Sequence, residues 1–307
     1  VSTILFEDAT KRAAKARIAL AGPSGSGKTW TGLLLGCYLA QAEGGQLAVI
    51  DTERGSAAKY AGENGWRFKH ASPQSFAPDA LIEALGVAAG AGFPAVLIDS
   101  WSHYWMGVDG MLEQVDKRTA ASRSNSSYSS GWKEMAPVER RMVDAIVSYP
   151  GHVIATLRVK TEYVIEKDDR GKSKPVKVGM KPQQREGLEY EFDLVGDLDH
   201  ENTLSVSKTR IPMLNGAVIV KPGEELAVTI RDWLADGEEV AGPLAYRADA
   251  LDPDATVATL RDLLATVKTA GLGNAPVTDG QGNPTVLEAL VVSRGRALSA
   301  ATNGAQP

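Results

Sequence analysis

The sequence predicts an α/β fold: a mostly parallel central sheet around a phosphate-binding loop, an antiparallel extension, and a small C-terminal helical appendix. Three observations predict it. First, Gly22-Pro23-Ser24-Gly25-Ser26-Gly27-Lys28-Thr29 has the spacing G-x-x-x-x-G-K-T, with an apolar run at residues 18–21 before it and another at 33–40 after it. Strand, loop and helix in that order is the setting such a loop requires. Second, apolar runs at residues 18–21, 47–51, 95–99 and 152–157 are separated by helical patterns, which argues for right-handed parallel crossovers. Third, runs at 192–198, 203–207 and 217–220 are closely spaced and turn-linked, which reads as antiparallel pairing.

The loop has a definite chemistry. Its glycines let backbone N–H groups turn inward around a triphosphate, and the following helix N-terminus adds partial positive charge. Lys28 reaches the β- and γ-phosphates, and the Thr29 hydroxyl ligates Mg²⁺. The nucleotide-binding set is therefore Gly22, Pro23, Ser24, Gly25, Ser26, Gly27, Lys28, Thr29 and the adjoining Trp30.

Two later strands end in acids. Ala95-Val96-Leu97-Ile98-Asp99 is four apolar residues and an aspartate, the form of a Walker B strand, and it places Asp99 opposite Thr29 on the metal. Leu47-Ala48-Val49-Ile50-Asp51-Thr52-Glu53 puts Glu53 at a strand tip, where a carboxylate can deprotonate the water that attacks a γ-phosphate. ATP with Mg²⁺ is the expected ligand. Trp101, His103, Tyr104 and Trp105 read as packing at the sheet edge.

Composition limits the alternatives. The 307 residues are 43% hydrophobic and 23% charged, with a net charge of −5, ordinary for a globular enzyme. No apolar run approaches the roughly 18 residues of a membrane span. Residues 1–17 form a basic segment without an apolar signal-peptide centre, so a cytoplasmic location is expected. The single cysteine, Cys37, lies in the apolar stretch of the first helix and reads as a small buried residue. The catalytic core spans residues 18–237. Residues 238–307 read as an acidic linker, one good helix at 256–270 and a flexible tail over the last dozen positions.

Against the acidic total, residues 158–185 hold nine Lys/Arg and four Asp/Glu, a local balance of +5. With Gly171, Pro175, Gly179 and Pro182 they read as a long loop or hairpin. Arg158, Lys160, Lys172, Lys174 and Lys177 are candidate contacts to a nucleic-acid backbone. A second candidate is residues 117–133, where Arg118, Arg123, Tyr128 and Trp132 interleave cations with rings suited to stacking on unpaired bases. The serine-rich residues 119–131 read as a loop.

Several strings together resemble one family. "VIDTERGSAAKYA", "AVLIDSWSHYW" and "LSVSKTRIPML", with "ATLRVKTEY" and "QREGLEYEFDLVGDLD", are similar to the RecA-like annealing ATPases of phages, the Sak-type group. The resemblance covers about residues 15 to 235. It implies a RecA-like P-loop core, Glu53 as the catalytic base, and Lys208 and Arg210 as a basic pair reaching the ATP of a neighbouring subunit. It further implies self-association into a ring or filament, single-stranded DNA as partner, annealing or recombination activity, and a single-strand binding protein as a candidate co-partner. The sequence departs from RecA after the 152–157 strand. There Thr156-Leu157-Arg158 has no glutamine to sense the γ-phosphate, so Arg158 or Lys160 takes that place. A hexameric helicase core, a regulatory P-loop module without DNA and a small-molecule kinase remain alternative readings.

Overall fold

The computed structural model describes residues 10, 11, 13–121, 128–167, 173–182, 187–238 and 240–304. Strand β1 (Arg17–Gly22) leads through the glycine loop into helix α1 (Lys28–Ala42), followed by β2 (Leu47–Asp51), edge strand β3 (Phe68–Ala71) and α2 (Pro78–Gly90). Then come β4 (Ala95–Asp99), α3 (Trp101–Met106), α4 (Met111–Ala121) and α5 (Tyr128–Val147). Strands β5 (His152–Lys167) and β6 (Ser173–Pro182) form an antiparallel hairpin, and β7 (Leu194–Leu198), β8 (Thr203–Thr209), β9 (Val218–Val220) and α6 (Glu224–Ala235) complete the core. A C-terminal unit holds α7 (Pro243–Leu251), α8 (Val257–Thr269), the short pair β10 (Pro276–Thr278) and β11 (Pro284–Val286), and α9 (Leu287–Gly304).

The main sheet runs β3-β2-β4-β5-β1-β7-β8-β9, with β6 paired to β5 beyond the path. Its central strands are buried on both faces, which is why they read as unbroken apolar runs. Alternation sorts their side chains. Ile18, Leu20, Ala95 and Leu97 join the core under α1 and α6. Ala19, Ala21, Val96 and Ile98 join the core under α2, α3 and α5. Trp101, Tyr104 and Trp105 are buried in the latter, as the packing reading expected.

Some expectations change. Residues 192–198 were expected in the antiparallel extension, yet β7 lies parallel to β1, with Ile18 opposite Leu194 and Ala21 opposite Asp197. In this part of the sheet the antiparallel pairings are those of β8 with β7 and of β9 with β8. Arg17, assigned to the basic N-terminal segment, is the first residue of β1. Its buried guanidinium donates to the carbonyls of Val147, Tyr149 and Gly151. Most of the remaining segment, residues 1–9 and 12, lies outside the described residues. The serine-rich stretch is shorter than a loop over 119–131, because α4 runs to Ala121 and α5 begins at Tyr128; residues 122–127 lie outside the described residues. The expected tail is helical as far as Gly304.

The C-terminal unit has its own apolar cluster, including Leu260, Val267, Val277, Leu287 and Leu290, and β10 and β11 pack on α2. Helix α8 matches the expected 256–270 closely. Thr256 caps it, with its side chain accepting from Thr259 N while the Thr259 hydroxyl accepts from Thr256 N, a reciprocal arrangement that satisfies two otherwise orphaned donors. Among the described residues no helix is long and apolar enough to cross a membrane.

Candidate functional site: a phosphate-loop cleft

At the C-terminal ends of the parallel strands lies a cleft of about 770 Å³, lined by the glycine loop, Glu53, Ser56, Tyr60, Asp99, Arg158, Asn202 and Lys221 among others. The loop is built by close approach. A Cβ at Gly22 would stand 2.5 Å from the Ser26 hydroxyl and 2.6 Å from the Leu198 carbonyl oxygen, so no side chain fits. Gly27 has φ +83°, a left-handed conformation that glycine adopts at no steric cost, and from it α1 starts at Lys28. The first turn of α1 thus points its free N–H groups into the cleft, with no acidic side chain there to oppose an anion.

Within this cradle the Lys28 ammonium donates to the Pro23 carbonyl at 2.7 Å. Burial lowers its pKa from the ordinary lysine value, against the opposing pull of Asp99 and Glu53. An incoming phosphate relieves that penalty by supplying the missing counter-charge.

Asp99 ends β4 almost fully buried. One of its carboxylate oxygens accepts from the Thr29 hydroxyl at 2.8 Å and the other from Thr156 at 2.5 Å. Burial raises its pKa above the usual carboxylate range, helped by the negative charges of Glu53 and Asp51, while the two threonine hydroxyls oppose the rise. A divalent cation between Thr29 and Asp99 would offset that shift by supplying a counter-charge. The donors are hard oxygens, which suit Mg²⁺. Among the described residues no cluster of three His, Cys, Asp or Glu side chains could hold a metal ion, so the cation would take its remaining ligands from phosphate and water.

Glu53 is placed by Asp51. The two strand ends lie side by side, Asp51 opposite Asp99 in the β2/β4 register. The buried Asp51 carboxylate accepts from the amides of Glu53 and Ala57 and faces His70 Nε2 at 3.0 Å. This pins a tight turn in which Arg54 and Gly55 have positive φ. Glu53 Oε1 then meets both Nε and Nη2 of Arg158 at 2.9 Å. Burial pushes the Glu53 carboxyl up, but the bond and charge of Arg158, aided by His103 and Ser100, outweigh it and hold it below the ordinary range. His103 Nδ1 lies 2.6 Å from the Thr52 hydroxyl, and its ring stacks on Phe76. Burial first, then the charge of Arg158, lowers its pKa, which favours the neutral imidazole.

Trp30 lines the cleft and packs against Tyr60 and Trp66, with ring centroids 5.6 and 4.7 Å away. The facing wall holds Asn202 and Lys221, joined by the Lys221 amide donating to the Asn202 carbonyl. Asn202, Lys221, Tyr60 and Thr156 were missed by sequence reasoning. The first two lie in turns after β7 and β9 with positive φ of 61° and 49°. Such backbone is uncommon outside glycine, but no sequence motif announces it here.

Other expected residues lie elsewhere. Lys208 and Arg210 fall at the far end of the sheet, since Val195 is opposite Lys208 whereas the loop end of β7 pairs Leu198 with Leu204. Lys208 donates to the Phe192 carbonyl, and Arg210 pairs with Asp193 at 2.8 Å. Neither touches the nucleotide cleft of its own chain. Arg158, grouped with the basic segment, sits in the cleft itself. Lys160 is exposed one step outward on β5. Lys174 and Lys177 are on β6, while Lys172 lies outside the described residues. In the second basic candidate, Lys117 pairs with Asp109 and Glu113, Arg118 pairs with Glu134, and Trp132 packs on Trp105. Those groups are engaged by their own chain, which weakens that candidate; Arg123 lies outside the described residues.

The comparisons with known proteins agree with the cleft. No curated protein matches the chain. A family model described as an AAA domain matches residues 14–219, from just before β1 to within β9. That span is well over half of the sequence and contains the glycine loop, Glu53, Asp99 and Arg158, so the chain belongs to this AAA-domain family of nucleotide-binding ATPases.

Proposed function

We propose that this ATPase works on DNA, as a RecA-like, Sak-type protein that binds single strands and promotes their annealing in recombination. One observation carries the reading: β5 runs without a break from the cleft, where Arg158 and Val159 form part of the wall, into the hairpin with β6. The hairpin segment is the most basic part of an acidic chain. Nucleotide state and DNA contact would therefore share one strand.

In the cleft, Lys28 neutralises the β- and γ-phosphates and the start of α1 holds them by backbone N–H groups. Thr29 and Asp99 would hold Mg²⁺, which would supply further charge neutralisation. Glu53 takes a proton from water as the water oxygen bonds to the γ-phosphorus. The bond to the β–γ bridging oxygen breaks with its electron pair leaving on ADP. Lys208 and Arg210, remote from their own cleft, serve the ATP of the next subunit in a ring or filament.

The test is ATP turnover and strand annealing with and without single-stranded DNA. We expect stimulated turnover and DNA affinity that falls with salt, with a slope of about −0.7 per phosphate neutralised. Replacing Lys172, Lys174 and Lys177 with alanine should shallow that slope and leave ATP binding intact. Turnover indifferent to DNA, with no strand binding at low salt, would make the chain a regulatory ATPase instead.

A further inference from the structure

We propose that Arg158 is the residue through which this chain reads the γ-phosphate, and that its ion pair with Glu53 is a resting lock which the triphosphate opens. This rests on Glu53 being the base of the ATPase site; it does not rest on the DNA role.

The strand register makes the first argument. Arg158 is directly opposite Gly22, the first residue of the phosphate loop, in the β1/β5 pairing. Its backbone is fixed there, since its amide donates to the Ser102 hydroxyl at 2.9 Å. The side chain lines the cleft and, apart from its pair with Glu53, leaves 43% of its surface exposed. Lys160 would lie on the same face of the strand but beyond the cleft, and it does not line it.

The second argument is the state of Glu53. Both nearer nitrogens of Arg158 converge on a single carboxylate oxygen, Oε1. A general base must offer a lone pair to water, and a carboxylate held by a guanidinium offers it poorly. A γ-phosphate brings more negative charge than a carboxylate and several acceptor oxygens. A guanidinium's planar fork suits such a group. When ATP enters, Arg158 turns from Glu53 to the γ-oxygens. One movement then frees the base and places a cation on the charge of the transferring group. ADP lacks the γ-phosphate and leaves the lock closed, so an ADP-bound or empty site does not activate water.

The remaining cations of the cleft do not substitute. Lys28 is the loop lysine. Lys221 stands on the opposite wall beside Asn202, whose amide lies near Gly27.

The experiment measures ATPγS and ADP affinity with magnesium, and ATP turnover, all without DNA, for wild type, Arg158→Gln, Arg158→Lys and Glu53→Ala. Arg158→Gln should bind ADP within about twofold of wild type, which also shows that it is folded. It should lose about tenfold or more in ATPγS affinity and about 10³-fold in turnover, the scale of an arginine at a transferring phosphoryl group. Arg158→Lys should recover part of the ATPγS preference. Glu53→Ala removes the competing partner, so it should bind ATPγS about two- to fivefold more tightly, as expected of a half-exposed ion pair. An Arg158→Gln protein that keeps the wild-type preference for ATPγS over ADP overturns the sensor. Unchanged ATPγS affinity in Glu53→Ala overturns the lock. Failure of DNA stimulation leaves both results as they stand.

Discussion

Thr29 and Asp99 are already joined across the cleft, hydroxyl to carboxylate at 2.8 Å, although they are 70 residues apart in the chain. The bond holds the two protein oxygens that would face a magnesium ion at hydrogen-bonding distance. It also makes a metal role for Asp99 testable. Asp99→Asn keeps the shape and an acceptor for the Thr29 hydroxyl but loses the charge. We expect nucleotide binding to persist and the magnesium concentration for half-maximal turnover to rise about 10–100-fold, as for residues that orient a metal's ligands. A magnesium titration of turnover reads this directly; an unchanged midpoint would place the cation elsewhere.

The distance of Arg210 from its own cleft gives a test of assembly. Lys28→Ala should abolish ATP binding and hydrolysis, because the β- and γ-phosphates lose their main counter-charge. Arg210→Ala should bind ATP and turn over poorly, since arginines donated to a neighbour contribute about 10³–10⁵ in rate. Mixing the two inactive proteins should restore turnover at interfaces that pair an intact loop with an intact Arg210. Mixtures that stay inactive while both proteins assemble would show that Arg210 only ties β8 to Asp193.

The base of the sheet gives a pH dependence. His152 is buried, its Nδ1 accepts the Ala16 amide at 2.9 Å, and its Nε2 faces Glu43. Burial, aided by Lys15 and Arg17, lowers its pKa despite Glu43. Glu43 itself is held down to about 2 by His152 first and then by Lys15. The signs agree. Below the ordinary imidazole value the unfolded chain takes a proton that folded His152 refuses, and below the ordinary carboxylate value the same holds for Glu43. Stability should therefore fall as pH drops from about 7 towards 5, with at most about 1.4 kcal/mol per pH unit from His152. Denaturant melts across that range should show a shallower slope in His152→Asn, whose side-chain oxygen can still accept from Ala16. An equal slope would assign the effect to other groups.

How much was legible beforehand follows from how local each signal is. The glycine loop, the acid at the end of β4 and the glutamate after β2 are each contained in a few consecutive residues, and the structure gathers them in one cleft. The Glu53–Arg158 pair joins positions 105 apart, so the sequence offered Arg158 both as a sensor and as a DNA contact without choosing. Edge strand β3 was missed because Lys69 and His70 are exposed and leave no apolar run. β7 was misassigned because its short turn to β8 masked its parallel partner, β1. The strands β10 and β11 have three residues each, too few to show a period.

The length of β5 has a mechanical consequence. The strand is braced on both sides only as far as Ala155, and on one side by β1 as far as Arg158; from Val159 its partner is β6. The nine residues from Val159 to Lys167 then extend about 30 Å at the usual rise of a strand. An arm of that length would act as a lever with its fulcrum at Arg158, beside the phosphate loop. A tilt of about 10° at the fulcrum would carry the tip through about 5 Å.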